Sequence, residues 1–143
     1  MDENLINDLL KDVKVDKERV TRSIYMVLSL YGLKIENVSI SRRKVDPSDI
    51  FVAAVEECNL EDAKTIMKEK YQDILPAPIT ILQFKGKYVL FMGSNRSIVF
   101  ILKGKKPDCV IVEVPDTIKE PVIYSEAKQT LKQIIEKQRQ TNH

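Results

Sequence analysis

Residues 78–114 read PITILQFKGKYVLFMGSNRSIVFILKGKKPDCVIVEV, and the chain breakers in this run decide the fold. Pro76 and Pro78 stop any preceding helix and hold the chain extended, which predicts a strand over residues 79–84. Lys85-Gly86 is a two-residue hairpin connection into a second strand over residues 87–91. Gly93, Ser94 and Asn95 break that strand, and the spacing predicts a helix over residues 96–103 with Gly104 just past its end. Residues 109–114 are a β-branched run closed by Pro115, the pattern of a buried strand.

Outward from this run, the upstream sequence is mostly helical. Leu5, Ile6, Leu9 and Leu10 predict a short amphipathic helix over residues 4–12. Asp16 is the expected cap of a second helix reaching Tyr31, with Gly32 at its left-handed end. Leu33, Ile35, Val38 and Ile40 alternate as a strand broken near Glu36 and Asn37. Asp46-Pro47-Ser48-Asp49 reads as a helix start, and Asn59 starts another helix that continues to about Asp73. Downstream, after a short piece at residues 122–124, Ser125 is the expected cap of a last helix. Its apolar face is Ala127, Leu131, Ile134 and Ile135, and its tail frays from about Gln138. The chain reads as an α+β domain: a small mixed sheet with packed helices. We divide it into a helical N-terminal extension ending in a strand (1–43), a core (44–124) and a C-terminal amphipathic helix and tail (125–143).

Composition narrows the function classes. A chain of 143 residues with 43% hydrophobic and 31% charged residues suits one globular core and excludes a disordered or fibrous chain. Trp is absent and aromatics are 6%, so platforms for stacking single-stranded nucleic acid are few. The longest apolar runs, such as residues 98–102, fall far short of the roughly 20 residues that span a bilayer. The opening Met1-Asp2-Glu3-Asn4 is acidic, unlike a signal peptide. A cytoplasmic protein with no membrane partner is the expectation, and Cys58 and Cys109 are then expected to be unpaired core residues. The one His, His143, is terminal, which removes His-based triads and His-rich metal sites; no metal site is expected.

The formal net charge of +2 conceals alternating blocks. Residues 14–44 are strongly basic, residues 45–75 strongly acidic, and residues 76–106 carry Lys85, Lys87, Arg96, Lys103, Lys105 and Lys106 with no acid at all. At the centre of the last block lie Gly93, Ser94, Asn95, Arg96 and Ser97, a strand–turn–helix start. The first turn of a helix leaves backbone N–H groups unpaired and partially positive, glycine permits close approach, and Arg can clamp two phosphate oxygens. An ordinary helix cap on a solvated basic face accounts for the same residues.

The quoted run, with the lead-in Lys44-Val45-Asp46-Pro47-Ser48-Asp49-Ile50, resembles the core of the ParB/sulfiredoxin-like superfamily. The shared order is a Pro-Ile strand, a Gly-bearing hairpin, a second strand, a G-x-x-R turn, a helix ending in Gly and a further strand. The resemblance covers residues 44–114. It implies a ParB/sulfiredoxin-like sheet that binds nucleotide phosphates at the G-x-x-R turn, here Gly93 and Arg96. The superfamily includes sulfiredoxins, CTP-binding partition-protein domains, archaeal-type free serine kinases and ParB-like nucleases. Ser94 stands where sulfiredoxins carry their catalytic Cys, so sulfinic-acid reduction is not expected. Asn95 stands where several members have His, and Met92 where the serine-kinase branch has an acid.

The leading expectation is therefore a phosphate-binding domain taking ATP, ADP or CTP with Mg²⁺, with phosphoryl transfer or nucleotide hydrolysis as its chemistry. Glu56 and Glu57 are the candidate catalytic carboxylates, against the plainer reading of a solvated face. A DNA-binding or nuclease-like module is the alternative; its phosphodiester contacts would be Arg42, Arg43, Lys44, Lys85, Lys87, Lys103, Lys105 and Lys106. A catalytically degenerate assembly protein is the third reading, and a homodimer through the terminal helices is compatible with each.

Overall fold

The computed structural model describes residues 2–141 and is a mixed α+β fold. The helices are α1 (Asp2–Leu9), α2 (Lys17–Leu30), α3 (Leu60–Lys70), α4 (Ser94–Leu102), α5 (Val122–Glu126) and α6 (Leu131–Thr141). The strands are β1 (Ser39–Lys44), β2 (Ile50–Val52), β3 (Ile79–Phe84), β4 (Lys87–Met92), β5 (Asp108–Glu113) and β6 (Gln129–Thr130), in the sheet order β1-β5-β3-β4-β2-β6. β3 is antiparallel to β4 and parallel to β5; β2 is parallel to β4; β1 and β6 are antiparallel to β5 and β2. None of the described helices is long and apolar enough to cross a membrane.

The central strands are apolar at alternate positions on both faces. Ile79 and Ile81 of β3 and Cys109 and Ile111 of β5 face a layer made by α3, α4 and α6. Leu82 and Phe84 of β3 and Val110 and Val112 of β5 face a layer made by α1, the turn after it and α2, where Ile6, Leu10, Val20, Ile24 and Val27 are fully buried against them. Each such side chain contributes roughly 1.5–3 kcal/mol, so the N-terminal helices supply half of the core cover. A buried polar pair fixes their position. Ser23 of α2 donates its hydroxyl to Val20 O at 2.7 Å and hydrogen-bonds Thr80 of β3, and both side chains are shut off from solvent.

The hairpin Lys85-Gly86 forms as expected, with φ of 50° and 79°, the paired left-handed conformation that matches strand twist. Gly32 and Gly104 also terminate α2 and α4 in the left-handed region. Several local expectations are corrected. The strand expected over residues 33–40 begins only at Ser39, because Ile35–Asn37 form a 3₁₀ turn and β1 takes its register from β5. The helix expected at Asp46 is a single 3₁₀ turn that gives way to β2. α3 ends at Lys70 rather than Asp73. The last helix starts at Leu131 rather than after Ser125, which lies within α5 and bonds Glu120. Thr130 and Gln133 make reciprocal bonds, Thr130 Oγ1 accepting from Gln133 N–H at 3.2 Å and Gln133 Oε1 from Thr130 N–H at 2.9 Å. Ser125 has Lys128 three residues on and cannot form this box.

Gln138, expected in a frayed tail, ties α6 to the start of α3. Its Nε2 donates to Cys58 O at 2.6 Å and its Oε1 accepts the Leu60 N–H at 2.7 Å. His143 lies outside the described residues. Gln138→Ala strands an unpaired N–H at the first turn of α3 and is expected to cost about 1–3 kcal/mol. A lower urea midpoint at unchanged slope would report this; an unmoved midpoint would mean the contact carries no stability.

Candidate functional site

The G-x-x-R turn is built by a bulge, a glycine and a helix start. Thr80 pairs with Met92 but Ile81 pairs with Leu90, which leaves Phe91 as an extra residue and bends the end of β4. Gly93 follows at φ 105°. A Cβ there would lie 2.7 Å from Arg96 Nη2 and 2.8 Å from Ile79 Cγ2, so the position requires glycine. Gly93 caps α4 without a side chain, and the first turn holds no acid. The first intrahelical bond runs from Ser97 N–H to Gly93 O at 2.9 Å. The N–H groups of Ser94, Asn95 and Arg96 therefore stand at an open, partially positive helix end.

Arg96 is 6% exposed, and its Nη1 has no hydrogen-bond partner among the described residues. Burial, and after it the charge of Arg19, push the guanidinium below its ordinary value, while Tyr71 and Asp16 pull the other way. A cation held dry beside a like charge, with an unmet donor, is an unfavourable arrangement for the folded chain alone. It lines a hollow of about 420 Å³ whose other walls include Gly93, Ser94, Asn95, Glu57, Arg19 and Lys70.

The remaining expected residues divide. Glu57 lines this hollow; Glu56 is exposed and does not. Ser97 is fully buried, with its hydroxyl on Ser94 O, and contributes no wall. Asn95 lines the hollow while its Oδ1 accepts the Asn59 N–H at 3.0 Å, and Ser94 lies in hydrogen-bonding contact with the Cys58 thiol. Burial pushes that thiol up to about 11, with Ser94 opposing and Glu57 and Glu56 adding, so it is a protonated packing group. Both Cys58 and Cys109 are free and buried.

None of the eight cations named for a phosphodiester backbone lines this hollow. Arg42 is held by Asp108 at 2.7 Å and Asp12 at 2.6 Å, and those bonds, Asp108 first, raise its pKa. Lys87 donates to Tyr124 O at 3.0 Å and Ala127 O at 2.7 Å, and Lys103 to Gln72 O at 3.1 Å. Arg43 stands over the Tyr88 ring at 5.0 Å, Lys85 over Phe84 at 5.3 Å, and Lys106 lies 4.0 Å from Asp46. Lys44 and Lys105 are exposed. A hollow of about 380 Å³ beside Pro76 and Pro78 has Arg42 as its guanidinium, already neutralised. Of the Arg42 and Arg96 guanidinium groups, that of Arg96 is the one without a salt bridge among the described residues.

Four wall residues escaped the sequence reading: Arg19, Ile66, Lys70 and Tyr71. The signal for Arg19 was the basic block of residues 14–44. Asp16, expected to cap α2, makes no side-chain cap bond; its carboxylate takes Lys70 Nζ at 2.7 Å and Tyr71 Oη at 3.2 Å. Lys70, chiefly by that hydrogen bond, holds Asp16 below the ordinary carboxylate value. Among the described residues no group of three or more His, Cys, Asp or Glu is placed to hold a metal ion. Glu57 is the one carboxylate among the walls of this hollow.

Comparisons with protein-family models, with curated proteins and with solved structures find no match.

Gly93→Ala should destabilise the fold by about 1–3 kcal/mol through strain and the clash with Arg96 and Ile79. Arg96→Met, which replaces a buried unpaired charge by an apolar chain, should leave the melting temperature equal or higher. A marked loss in Arg96→Met would assign the guanidinium a structural role. Because the folded Asp16 pKa is depressed, its contact stabilises the chain at neutral pH and is lost as pH falls through about 4 and below. Asp16→Asn should accordingly show less acid sensitivity over that window in a melting-temperature profile.

Proposed function

We propose that this chain is a ParB/sulfiredoxin-like domain that binds a nucleotide through its phosphates at the Gly93–Arg96 turn. The observation that carries the reading is the buried Arg96 guanidinium with an unmet donor at the open end of α4. An anion there would supply the missing acceptor, offset the Arg19–Arg96 repulsion, and accept the free N–H groups of the first turn. A neutral ligand could accept hydrogen bonds there but would not offset the repulsion. The G-x-x-R resemblance of residues 93–96 points to the same ligand class, and Gly93 admits a phosphate close to the backbone.

The roles follow from position. Arg96 clamps phosphate oxygens, the backbone of Ser94 and Asn95 donates to them, and Arg19 adds positive potential from the facing helix. Mg²⁺ bound to the phosphates would supply charge neutralisation. Glu57, on the wall of the hollow, is the carboxylate available to orient water or a hydroxyl for hydrolysis or phosphoryl transfer; Glu56 is outside it.

Thermal shift and calorimetric titration with ATP, ADP and CTP, each with Mg²⁺, test the reading. A bound nucleotide at a hundred times its Kd should add about 2.7 kcal/mol to stability. Arg96→Met should abolish that shift while remaining folded, since a charge-assisted contact contributes about 1.5–3 kcal/mol. No shift with any nucleotide at millimolar concentration would refute nucleotide binding.

A further inference from the structure

We propose that the helices at the N-terminus build a second anion subsite beside the Arg96 hollow, which receives a distal phosphate of the same ligand. The inference rests on the phosphate-binding reading above and adds the residues that distinguish a condensed phosphate chain from a single phosphate.

The Arg96 hollow does not end at Arg19 and Lys70. Those two side chains are also walls of an adjoining hollow of about 630 Å³, whose further basic walls are Lys14, Lys17 and Arg22. Lys70 is committed to Asp16 at 2.7 Å. Among the described residues, Lys14, Lys17, Arg19 and Arg22 have no salt bridge, so the acids of this hollow, Asp16 and Glu18, leave a surplus of positive charge. α2 starts here, at Lys17, with no side-chain cap, since the carboxylate of Asp16 is turned to Lys70 and Tyr71. Arg19 and Arg22 are three residues apart on α2 and share a face.

A surplus of surface cations alone is ordinary. Here it is coupled to a group that requires an anion: Arg96 is 94% buried with an unmet donor, and Arg19 is the like charge that acts on it. The relative placement is rigid as well. The Ser23–Thr80 bond lies on the next turn of α2 from Arg19, and Thr80 pairs with Met92, immediately before Gly93. One orthophosphate on Arg96 would leave Lys17 and Arg22 facing solvent. A diphosphate or triphosphate chain would have its first group on the α4 turn and its next on α2. This chemistry belongs equally to a nucleoside polyphosphate and to inorganic polyphosphate.

Calorimetric titration of the full chain with orthophosphate, pyrophosphate, tripolyphosphate and Mg·ATP tests the subsite. It is run on the wild type, on Lys17→Ser/Arg22→Ser, whose two residues line only the adjoining hollow, and on a control pair, Lys34→Ser/Lys105→Ser, that removes equal charge away from both hollows. The wild type and the control should bind tripolyphosphate about tenfold or more tighter than orthophosphate. The α2 variant should keep its orthophosphate Kd and lose that preference. Tripolyphosphate equal to ATP would make the inorganic chain the sufficient ligand, and tighter ATP would assign the nucleoside a contact; either supports the subsite. Equal affinity for all chain lengths in the wild type, parallel losses in the control pair, or equally tight binding of an oligonucleotide without terminal phosphates would overturn it while leaving the Arg96 site standing. Absence of binding by every phosphate would overturn both, and orthophosphate binding is the arm that separates the two failures.

Discussion

β3 and β5 lie side by side in the middle of the sheet with apolar side chains on both faces, and this double-sided burial constrains the rest of the chain. A sheet exposed on either face would leave Leu82, Phe84, Val110 and Val112, or Ile79, Ile81 and Ile111, in water. The α1–α2 layer and the α3–α4–α6 layer remove those alternatives. The candidate site is a by-product of that arrangement. It forms where α2, covering one face, and α4, covering the other, both begin near the same end of the central strands. The chain turns from β4 into α4 there, and Arg19 from one layer meets Arg96 from the other.

At that junction the fold accepts several local costs together. Gly93 occupies a left-handed conformation with no room for a Cβ, Phe91 is left out of the strand ladder, and Arg96 is buried without full hydrogen bonding. Among the described residues, the other buried side-chain nitrogen and oxygen atoms have hydrogen-bond partners. Ser23 and Thr80 pair, Gln138 serves both a donor and an acceptor, and Arg42 is divided between two carboxylates. The contrast has physical content: polar burial is solved at each of these places and left open at Arg96, which is the observation the proposed ligand site rests on.

Much of the local structure was legible because its causes are local. Lys85-Gly86 can only join strands tightly, Asn59 caps the Asp62 N–H, and Gly104 ends α4 in the conformation that glycine favours. The misreadings also have identifiable causes. The true start of α6 was legible in Thr130-x-x-Gln133, a stronger cap than Ser125. The start of β1 was not, because Leu33, Ile35 and Val38 alternate well enough to mimic a strand, and pairing with β5 alone decides where the ladder begins. At the site, Gly93 and Arg96 stand in a short motif and could be found from spacing. Arg19, Lys70 and Tyr71 come from distant segments.

By itself the sequence determined the run of central elements from β3 to β5, the sharp turn at Gly93 and the concentration of positive charge around it, since propensities, breakers and charge are properties of neighbouring residues. Tertiary structure alone decided which of the charges matter. Packing neutralised Arg42 against Asp12 and Asp108, set Lys87 and Lys103 on backbone carbonyls, and left Arg96 buried and incompletely paired beside Arg19. Whether a cation is free depends on what the fold brings within a few ångströms of it, and that distance is not a property of the chain read in order.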